Sequence, residues 1–166
     1  TFAVRSTEPA LGGKARRRLV SVLFTGDEKG PKMDLLLYLP ATRSGPVPTF
    51  VGLNFRGNHA TTKDPGVPLA TIRERDGSVK LAEESTRGSQ SSRWAFEMIV
   101  ERGFGCATIF CADIDPDFHD GFKNGVHQLY PRGDSSSEWG TIGAWAWGLS
   151  RALDYYRGTA EKFEVN

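Results

Sequence analysis

The longest regular apolar pattern in the sequence runs from Trp139 to Tyr156. Its large apolar side chains recur at steps of three and four residues, which predicts an α-helix with one apolar face. Trp147 falls on the opposite side of that helix, and small residues beside it would let other backbone come close. The pattern therefore predicts a helix buried between two layers. The predicted inward face consists of Ile142, Trp145, Leu149, Leu153 and Tyr156.

Sequence signals mark both ends of this helix. Ser135 and Glu138 have the spacing of a capping box just before the apolar pattern begins. Arg157 and Gly158 offer a cation for the last turn and a glycine for the C′ position. We therefore expect the helix to begin after Glu138 and to stop at Gly158.

The beginning of the chain is polar. Four shorter apolar runs after it predict β-strands. Arg17–Phe24 and Met33–Leu39 are separated by a turn rich in glycine and aspartate, which predicts an antiparallel hairpin. Thr49–Phe55 predicts a third strand. Cys106–Ala112 has the continuous apolar character of a buried parallel strand.

A second helix is predicted between the last two strands. Ser91 or Ser92 is its N-cap candidate, it extends to Arg102, and Gly103 stops it. Strand, helix and strand in this order predict a βαβ unit whose strands are parallel. The side chains expected to point inward are Trp94, Met98 and Ile99.

Two long stretches, residues 60–90 and 113–137, show neither the helical nor the strand period. An irregular connection of about 30 residues in a compact domain is usually functional or disordered. Loops of this kind commonly carry binding residues. We expect the first stretch to form one wall of an open cleft.

Composition and charge narrow the possible partners. The 166 residues carry a formal net charge of +1, with 39% hydrophobic and 25% charged residues, so charge suggests neither nucleic-acid nor membrane binding. No apolar run approaches the roughly 20 residues of a membrane span. Cys106 and Cys111 lie five apart in one predicted strand and would point to opposite faces, so we expect two buried free thiols.

Four stretches of the chain resemble one family in sequence, order and spacing. They are GPKMDLLLYLP (Gly30 to Pro40), GLNFRGNHA (Gly52 to Ala60), the run from Arg87 to Asp117, and AWAWGLSRALDY (Ala144 to Tyr155). The chain thereby resembles the glucuronoyl esterases of carbohydrate esterase family 15, and most closely their bacterial members. These enzymes have the α/β-hydrolase fold.

The resemblance implies an α/β fold, namely a three-layer α/β/α sandwich of the α/β-hydrolase type that is incomplete in this chain. Residues 1–166 would form the amino-terminal half of a single catalytic domain. The nucleophile strand would begin near Glu164 to Asn166. The catalytic serine, histidine and acid are therefore all expected after Asn166, and the remaining carboxyl-terminal half is an expected partner.

The activity implied by the resemblance is that of a serine carboxylesterase. It would cleave the 4-O-methylglucuronoyl esters that link xylan glucuronate to lignin alcohols, with no cofactor and no metal. The expected substrate is a glucuronoxylan–lignin ester, and the expected location is secreted or periplasmic. The sequence itself contains no signal peptide, since Thr1 opens none.

Arg56, Asn58 and His59 are the candidate site residues in this chain. They follow the third predicted strand, with Gly57 allowing a sharp turn at the carboxyl end, where open α/β sheets place ligand sites. In α/β-hydrolases this position also contributes an oxyanion-hole N–H. A substrate-binding or oxyanion-loop role is expected, and a structural role, with His59 bonded to a neighbouring carbonyl, stays open.

Ser150 lies in a sequence close to a nucleophile elbow, Gly148 to Ala152. An elbow requires a sharp strand-to-helix turn, whereas this serine lies in the middle of a predicted helix. We expect Ser150 to be a packing residue bonded to a carbonyl one turn back.

An alternation of carboxylates follows the last predicted strand. An EF-hand loop that began at Asp113 would need glycine at its sixth and glutamate at its twelfth position, but Phe118 and Asn124 stand there. A solvated, turn-capping or pocket-lining role is expected instead. The alternating residues are Asp113, Asp115, Asp117 and His119.

Other functions remain open on the sequence alone. One is another carbohydrate or xylan esterase on the same fold, and another is a non-catalytic carbohydrate-binding protein. For Trp139, Trp145 and Trp147, core packing is expected, with a sugar platform as the alternative. His127 has no predicted partner.

Overall fold

The computed structural model describes residues 1–133 and 137–160. The strands are β1 (Phe2–Ala10), β2 (Ala15–Leu23), β3 (Lys32–Pro40), β4 (Thr49–Asn54), β5 (Thr71–Arg73), β6 (Val79–Leu81) and β7 (Gly105–Phe110). The α-helices are α1 (Phe96–Glu101), α2 (Cys111–Ile114) and α3 (Thr141–Ala160). The main sheet has the order β1-β2-β3-β7-β4, and β5 pairs with β6 in a separate hairpin.

Strand pairing confirms the predicted hairpin and the predicted βαβ unit. β2 and β3 are antiparallel, with Val20 opposite Leu35. β4 and β7 are parallel, with Val51 opposite Ala107, and α1 lies between them along the chain. β3 is antiparallel to β7, so the start of β3 lies at the same sheet edge as the carboxyl ends of β4 and β7.

Alternation along β3 divides the core between the two faces of the sheet. Leu35 and Leu37 pack in the cluster that contains α3, whereas Leu36 and Tyr38 pack with Phe96 of α1. Successive side chains of a strand point to opposite faces, so each face has its own apolar cluster. The three-layer α/β/α sandwich is therefore confirmed.

The buried stripe of α3 differs from the predicted one. Ile142 is 73% exposed and Leu153 is 48% exposed, so their prediction as inward residues was wrong. The helix approaches α2 so closely that a Cβ at Gly148 would lie 2.3 Å from Cδ1 of Ile114. Small residues therefore face the core, and the large ones are displaced to its sides. The buried stripe is Ala144, Gly148, Ala152 and Tyr155.

The ends of α3 also differ from the prediction. The helix starts at Thr141 and continues through Gly158, so Gly158 is not its C′ residue. Ser135, half of the predicted capping box, lies outside the described residues, as do Glu164 to Asn166. The carboxylate of Glu138 accepts a hydrogen bond from the backbone N–H of Gly133.

The edge strand β1 was missed because its sequence lacks an apolar pattern. Of its residues only Ala10 is buried. It pairs antiparallel with β2 along its length, with a bulge between Val4 and Ser6. An edge strand with two solvated faces carries little hydrophobic signal.

The boundaries of α1 and β7 require smaller corrections. A 3₁₀ turn covers Ser91–Arg93, and α1 begins only at Phe96. Met98 is 48% exposed, so it does not point inward. Gly103, at φ 82°, ends the helix as predicted, and its N–H donates to the carbonyl of Val100. β7 ends before Cys111, which opens the helical turn α2.

Both cysteines are buried free thiols, as predicted. Within the described part of the chain, no helix combines the length and hydropathy needed to cross a bilayer.

Candidate functional site

A sharp turn follows β4 and positions the candidate residues. Gly57 has a φ of 91°, and its carbonyl accepts a hydrogen bond from the N–H of Ala60 as a 3₁₀ turn begins. A Cβ at Gly57 would lie 2.4 Å from the Cβ of Ala70. Both the backbone conformation and the close approach therefore require glycine here.

Asn58 is held by two side-chain hydrogen bonds. Its Oδ1 accepts from Nδ2 of Asn54 at 2.8 Å, and its Nδ2 donates to the carbonyl of Asp34 at 2.7 Å. Asn54 also donates to the hydroxyl of Thr108 on β7 at 2.9 Å, so the turn is fastened to the middle of the sheet. The geometry gives Asn58 a positioning role in this turn.

His59 is fixed as a neutral imidazole. Its Nδ1 accepts a hydrogen bond from the N–H of Ala70 at 3.2 Å, so the ring proton is on Nε2, 2.9 Å from the hydroxyl of Thr86. Burial lowers the pKa of His59, and the nearby charge of Arg87 lowers it further. The residue is almost completely buried, with only 1% of it exposed. Its hydrogen bonds join the turn after β4 to Ala70 and to Thr86.

Arg56 differs from the other two candidates, Asn58 and His59, because it is exposed. Its side chain lines a cavity of about 590 Å³ at the carboxyl ends of β4 and β7, and we name this the first cavity. Phe55 and Phe110 line the strand side, and Arg73 of β5 lines the loop side. Arg56 and His59 therefore share this cavity, whereas Asn58 lines a second one.

Residues 60–90 form the wall that was expected, with more regular structure than the sequence suggested. The β5–β6 hairpin lies within this stretch, so the absence of a strand period was misleading. Asp76 and Gly77 at its tip, between short alternating runs, are a hairpin signal that could have revealed it. Arg73, a cavity residue missed by sequence reasoning, lies on this hairpin.

A buried ion pair fastens this loop to the sheet. Nη1 of Arg17 on β2 lies 2.6 Å from Oδ1 of Asp64, and the hydroxyl of Tyr38 donates to Oδ2 at 2.8 Å. Burial opposes ionisation of Asp64, but these bonds and one from the N–H of Gly66 hold its pKa below the ordinary value. Arg87 donates to two further loop carbonyls, so the wall is anchored at both its start and its end.

A second cavity, of about 600 Å³, adjoins the first and shares Arg73 and Phe110 with it. Asp113 lines it, and its Oδ2 accepts the N–H of Asp34 at 3.1 Å. Burial, together with the charge on Asp34, raises the pKa of Asp113 to about 8.

The other three residues of the alternation that begins at Asp113 lie in different surroundings. Asp117 lines the first cavity. Asp115 is buried with His127, whose Nε2 is 3.8 Å from its Oδ1, and burial raises the pKa of Asp115. His119 is exposed and its ring contacts that of Phe122. In the described ranges, no three histidine, cysteine or acidic side chains form a metal-binding group.

The surroundings of Ser150 and the three tryptophans are structural and not catalytic. Ser150 is exposed in the middle of α3, and its hydroxyl accepts a bond from Arg151 at 3.3 Å, so the expected packing role was wrong. Arginine is a donor without basic capacity at neutral pH, so this contact cannot activate a nucleophile. Core packing is confirmed for the three tryptophans, which lie against the apolar cluster under α3.

Comparison with solved structures identifies relatives of this fold. A glucuronoyl esterase from Solibacter usitatus matches with a TM-score of 0.85 and 44% identity, over 93% of this chain and 41% of that one. A promiscuous CE15 esterase from the marine bacterial metagenome matches with a TM-score of 0.76 and 42% identity, over 95% of this chain and 41% of that one. The chain therefore shares the fold of these carbohydrate esterases over most of its own length. No protein-family model matches it.

Comparison of sequences also finds a carbohydrate esterase as a relative. Carbohydrate esterase MZ0003, from an unknown prokaryotic organism, is 44% identical over 164 residues, which is 93% of this chain and 38% of the relative. The chain thus spans about two fifths of the length of the relatives it matches. The family 15 fold is established for that part.

Proposed function

We propose that the whole protein containing this chain is a serine esterase that cleaves glucuronoyl esters between xylan and lignin alcohols. The observation that carries this proposal is the combination of a cavity at the carboxyl ends of β4 and β7 with the shared fold. A relative named glucuronoyl esterase has that fold at 44% identity. In open α/β sheets, ligands bind at this edge.

The nucleophile, its histidine and its acid are supplied by residues outside 1–166 in this proposal. The outer edge of β4 supports it, since Phe50 is 59% exposed and Val51 is 43% exposed where a further strand would pair. A serine on that strand would attack the ester carbonyl, pass its proton to the histidine and release the lignin alcohol. Water would then hydrolyse the glucuronoyl-enzyme.

The turn after β4 would supply the geometry of the site. Asn58 and His59 hold the turn through bonds that occupy their side chains, so their contribution is to orient the backbone N–H groups near the oxyanion. Arg56 is exposed in the first cavity and is free to meet the substrate. Residues 60–90 form a cleft wall that suits an ester flanked by two bulky groups.

A secreted or periplasmic location follows from this substrate, because an insoluble polymer is degraded outside the cytoplasm. Activity in the culture medium or periplasmic fraction of the native organism would support it. Activity confined to the cytoplasmic fraction would contradict it.

The function is tested by a substrate panel on the whole protein. We expect kcat/KM for benzyl 4-O-methylglucuronate to exceed that for acetylated xylan by at least about tenfold, because discrimination depends on contacts made in the transition state. A preference for acetylated xylan would favour another xylan esterase. Binding of xylan without hydrolysis of any ester would favour the non-catalytic function.

A broader ester specificity is the second candidate. It is supported by the relative that is described as a promiscuous esterase at 42% identity. Similar kcat/KM values for glucuronoyl, galacturonoyl and simple aryl esters would favour it over the narrow specificity.

A further inference from the structure

The first cavity contains two guanidinium groups that the fold does not use. Within the described ranges, neither Arg56 nor Arg73 has a side-chain hydrogen bond or ion pair, although both line this cavity. The other two cations in the lining are engaged. Lys80 pairs with Glu74 at 2.8 Å, and Arg75 lies over the ring of Phe118 at 5.7 Å.

Unused guanidinium groups in a cavity favour an anionic ligand. Arginine presents a planar fork of donors that matches a carboxylate with two parallel hydrogen bonds. The lining of the cavity holds four arginine and lysine side chains and three carboxylates, so the cations exceed the carboxylates by one. Glu74 is paired with Lys80 at 2.8 Å, and Glu83 and Asp117 remain as competing charges.

The cavity also offers an apolar surface beside these cations. Phe55 is 55% exposed, with its ring set edge-on to Trp145 at a centroid distance of 5.7 Å. An aromatic ring that is supported on one side and open on the other can pack against the C–H face of a sugar. A ligand with both a sugar ring and a carboxylate fits this combination.

We propose that Arg56 and Arg73 bind the free carboxylate of a second, unesterified uronate on the same polymer chain. This inference rests on the proposed function, since it concerns how the cavity holds a glucuronoxylan. The ester that is cleaved carries no charge on its carboxyl group before it reacts, so two guanidinium groups add little to its ground-state binding. A free uronate elsewhere on the chain carries the charge that they match.

The test uses the whole enzyme and two matched polymers with the same benzyl glucuronoyl esters. One keeps its free carboxylates, and in the other they are converted to neutral methylamides. We expect Arg73→Gln and Arg56→Gln each to raise KM about three- to tenfold on the acidic polymer, as for a partly exposed ion pair. On the methylamide polymer the same substitutions should raise KM by clearly less than on the acidic polymer.

Arg157→Gln is the matched control, because Arg157 is exposed at the far end of α3 and lines neither cavity. It should change KM on neither polymer. The Arg73→Gln effect should also disappear in about 1 M salt, where the screening length is about 3 Å. Equal KM changes on both polymers would overturn the inference and leave the esterase function standing.

A binding measurement separates failure of the inference from failure of the function. If the enzyme hydrolyses no glucuronoyl ester, the function fails, and calorimetry with a glucuronate-substituted xylo-oligosaccharide still tests the site. Binding that weakens in both arginine variants but not in Arg157→Gln would support it. Binding equal in all variants would overturn it.

Discussion

Nη1 of Arg17 lies 2.6 Å from Oδ1 of Asp64, and each side chain is only 10% exposed. This pair joins strand β2 to the loop that walls the first cavity, across 47 residues of sequence. A long loop loses much conformational entropy when it is ordered, so a strong contact at its start is needed to hold it. The position of the cavity wall therefore depends on a contact whose two residues do not line the cavity.

Asp64→Asn should lower the free energy of unfolding by about 3–5 kcal/mol, because it leaves the charge of Arg17 buried and uncompensated. Chemical denaturation of the whole protein measures this loss. Glu28→Gln is the control, since Glu28 forms an exposed pair with Arg5 and should cost about 1 kcal/mol or less. Equal losses in the two variants would contradict the anchoring role.

The same pair predicts an acid limit to stability. The pKa of Asp64 is depressed in the folded protein, so its contribution is present above the ordinary aspartate pKa and is lost as pH falls through the lower folded value. Asp64→Asn should remove this part of the acid dependence. Denaturation curves of both proteins between neutral and strongly acidic pH would show it.

Gly57→Ala should unfold the turn after β4. Gly57 combines a φ of 91° with a Cβ position 2.4 Å from Ala70, so alanine adds a clash to an unfavourable backbone conformation. Gly77→Ala is matched, because Gly77 has a φ of 86° with nothing within 4 Å of the added Cβ. We expect Gly77→Ala to cost about 1 kcal/mol and Gly57→Ala several times more. Similar melting temperatures in the two variants would contradict the close packing.

Asp113 predicts a dependence on pH of the opposite sign. Burial and the charge of Asp34 raise its pKa to about 8 in the folded protein, so its contribution is full below the ordinary aspartate pKa and is lost as pH rises through about 8. Asp113→Asn should flatten the fall in unfolding free energy over that interval. Asp117→Asn, at an exposed position, should leave the fall unchanged. A slope that survives Asp113→Asn would contradict the assignment.

Ser150→Ala should leave ester hydrolysis by the whole enzyme within a few-fold of normal. Its hydroxyl is in the middle of α3, and among the described residues its hydrogen-bond partner is a donor, Arg151, and not a base. Steady-state kinetics on a small glucuronoyl ester measures the effect. A loss on the order of 10⁴-fold in kcat with normal folding would make Ser150 the nucleophile.

The sequence was most informative where one apolar run decided the structure. β3 is a continuous apolar run because Leu35 and Leu36 face two separate cores, and its bounds match the prediction within one residue. In α3 the same reasoning found the helix but not its buried face. Hydrophobic spacing favours bulky residues, whereas the close contact at Gly148 favours small ones.

The sequence indicated where in the fold the candidate residues lie, but not how their side chains are hydrogen-bonded. Arg56, Asn58 and His59 were expected near a pocket, and the structure places Arg56 and His59 at one cavity and Asn58 at the next. Their different bonding depends on Asp34 and Ala70, which are distant in sequence. No local pattern encodes such contacts, so their substrate-binding role stays a prediction.

In the proposed function, this chain forms one wall of an esterase site whose nucleophile lies outside residues 1–166. The most direct measurement is labelling of the whole protein with a fluorophosphonate, which reacts with activated serines, followed by peptide mapping. We expect a single labelled serine outside 1–166, protected by a glucuronoyl ester substrate. Labelling of Ser150, or of any other serine within 1–166, would contradict it.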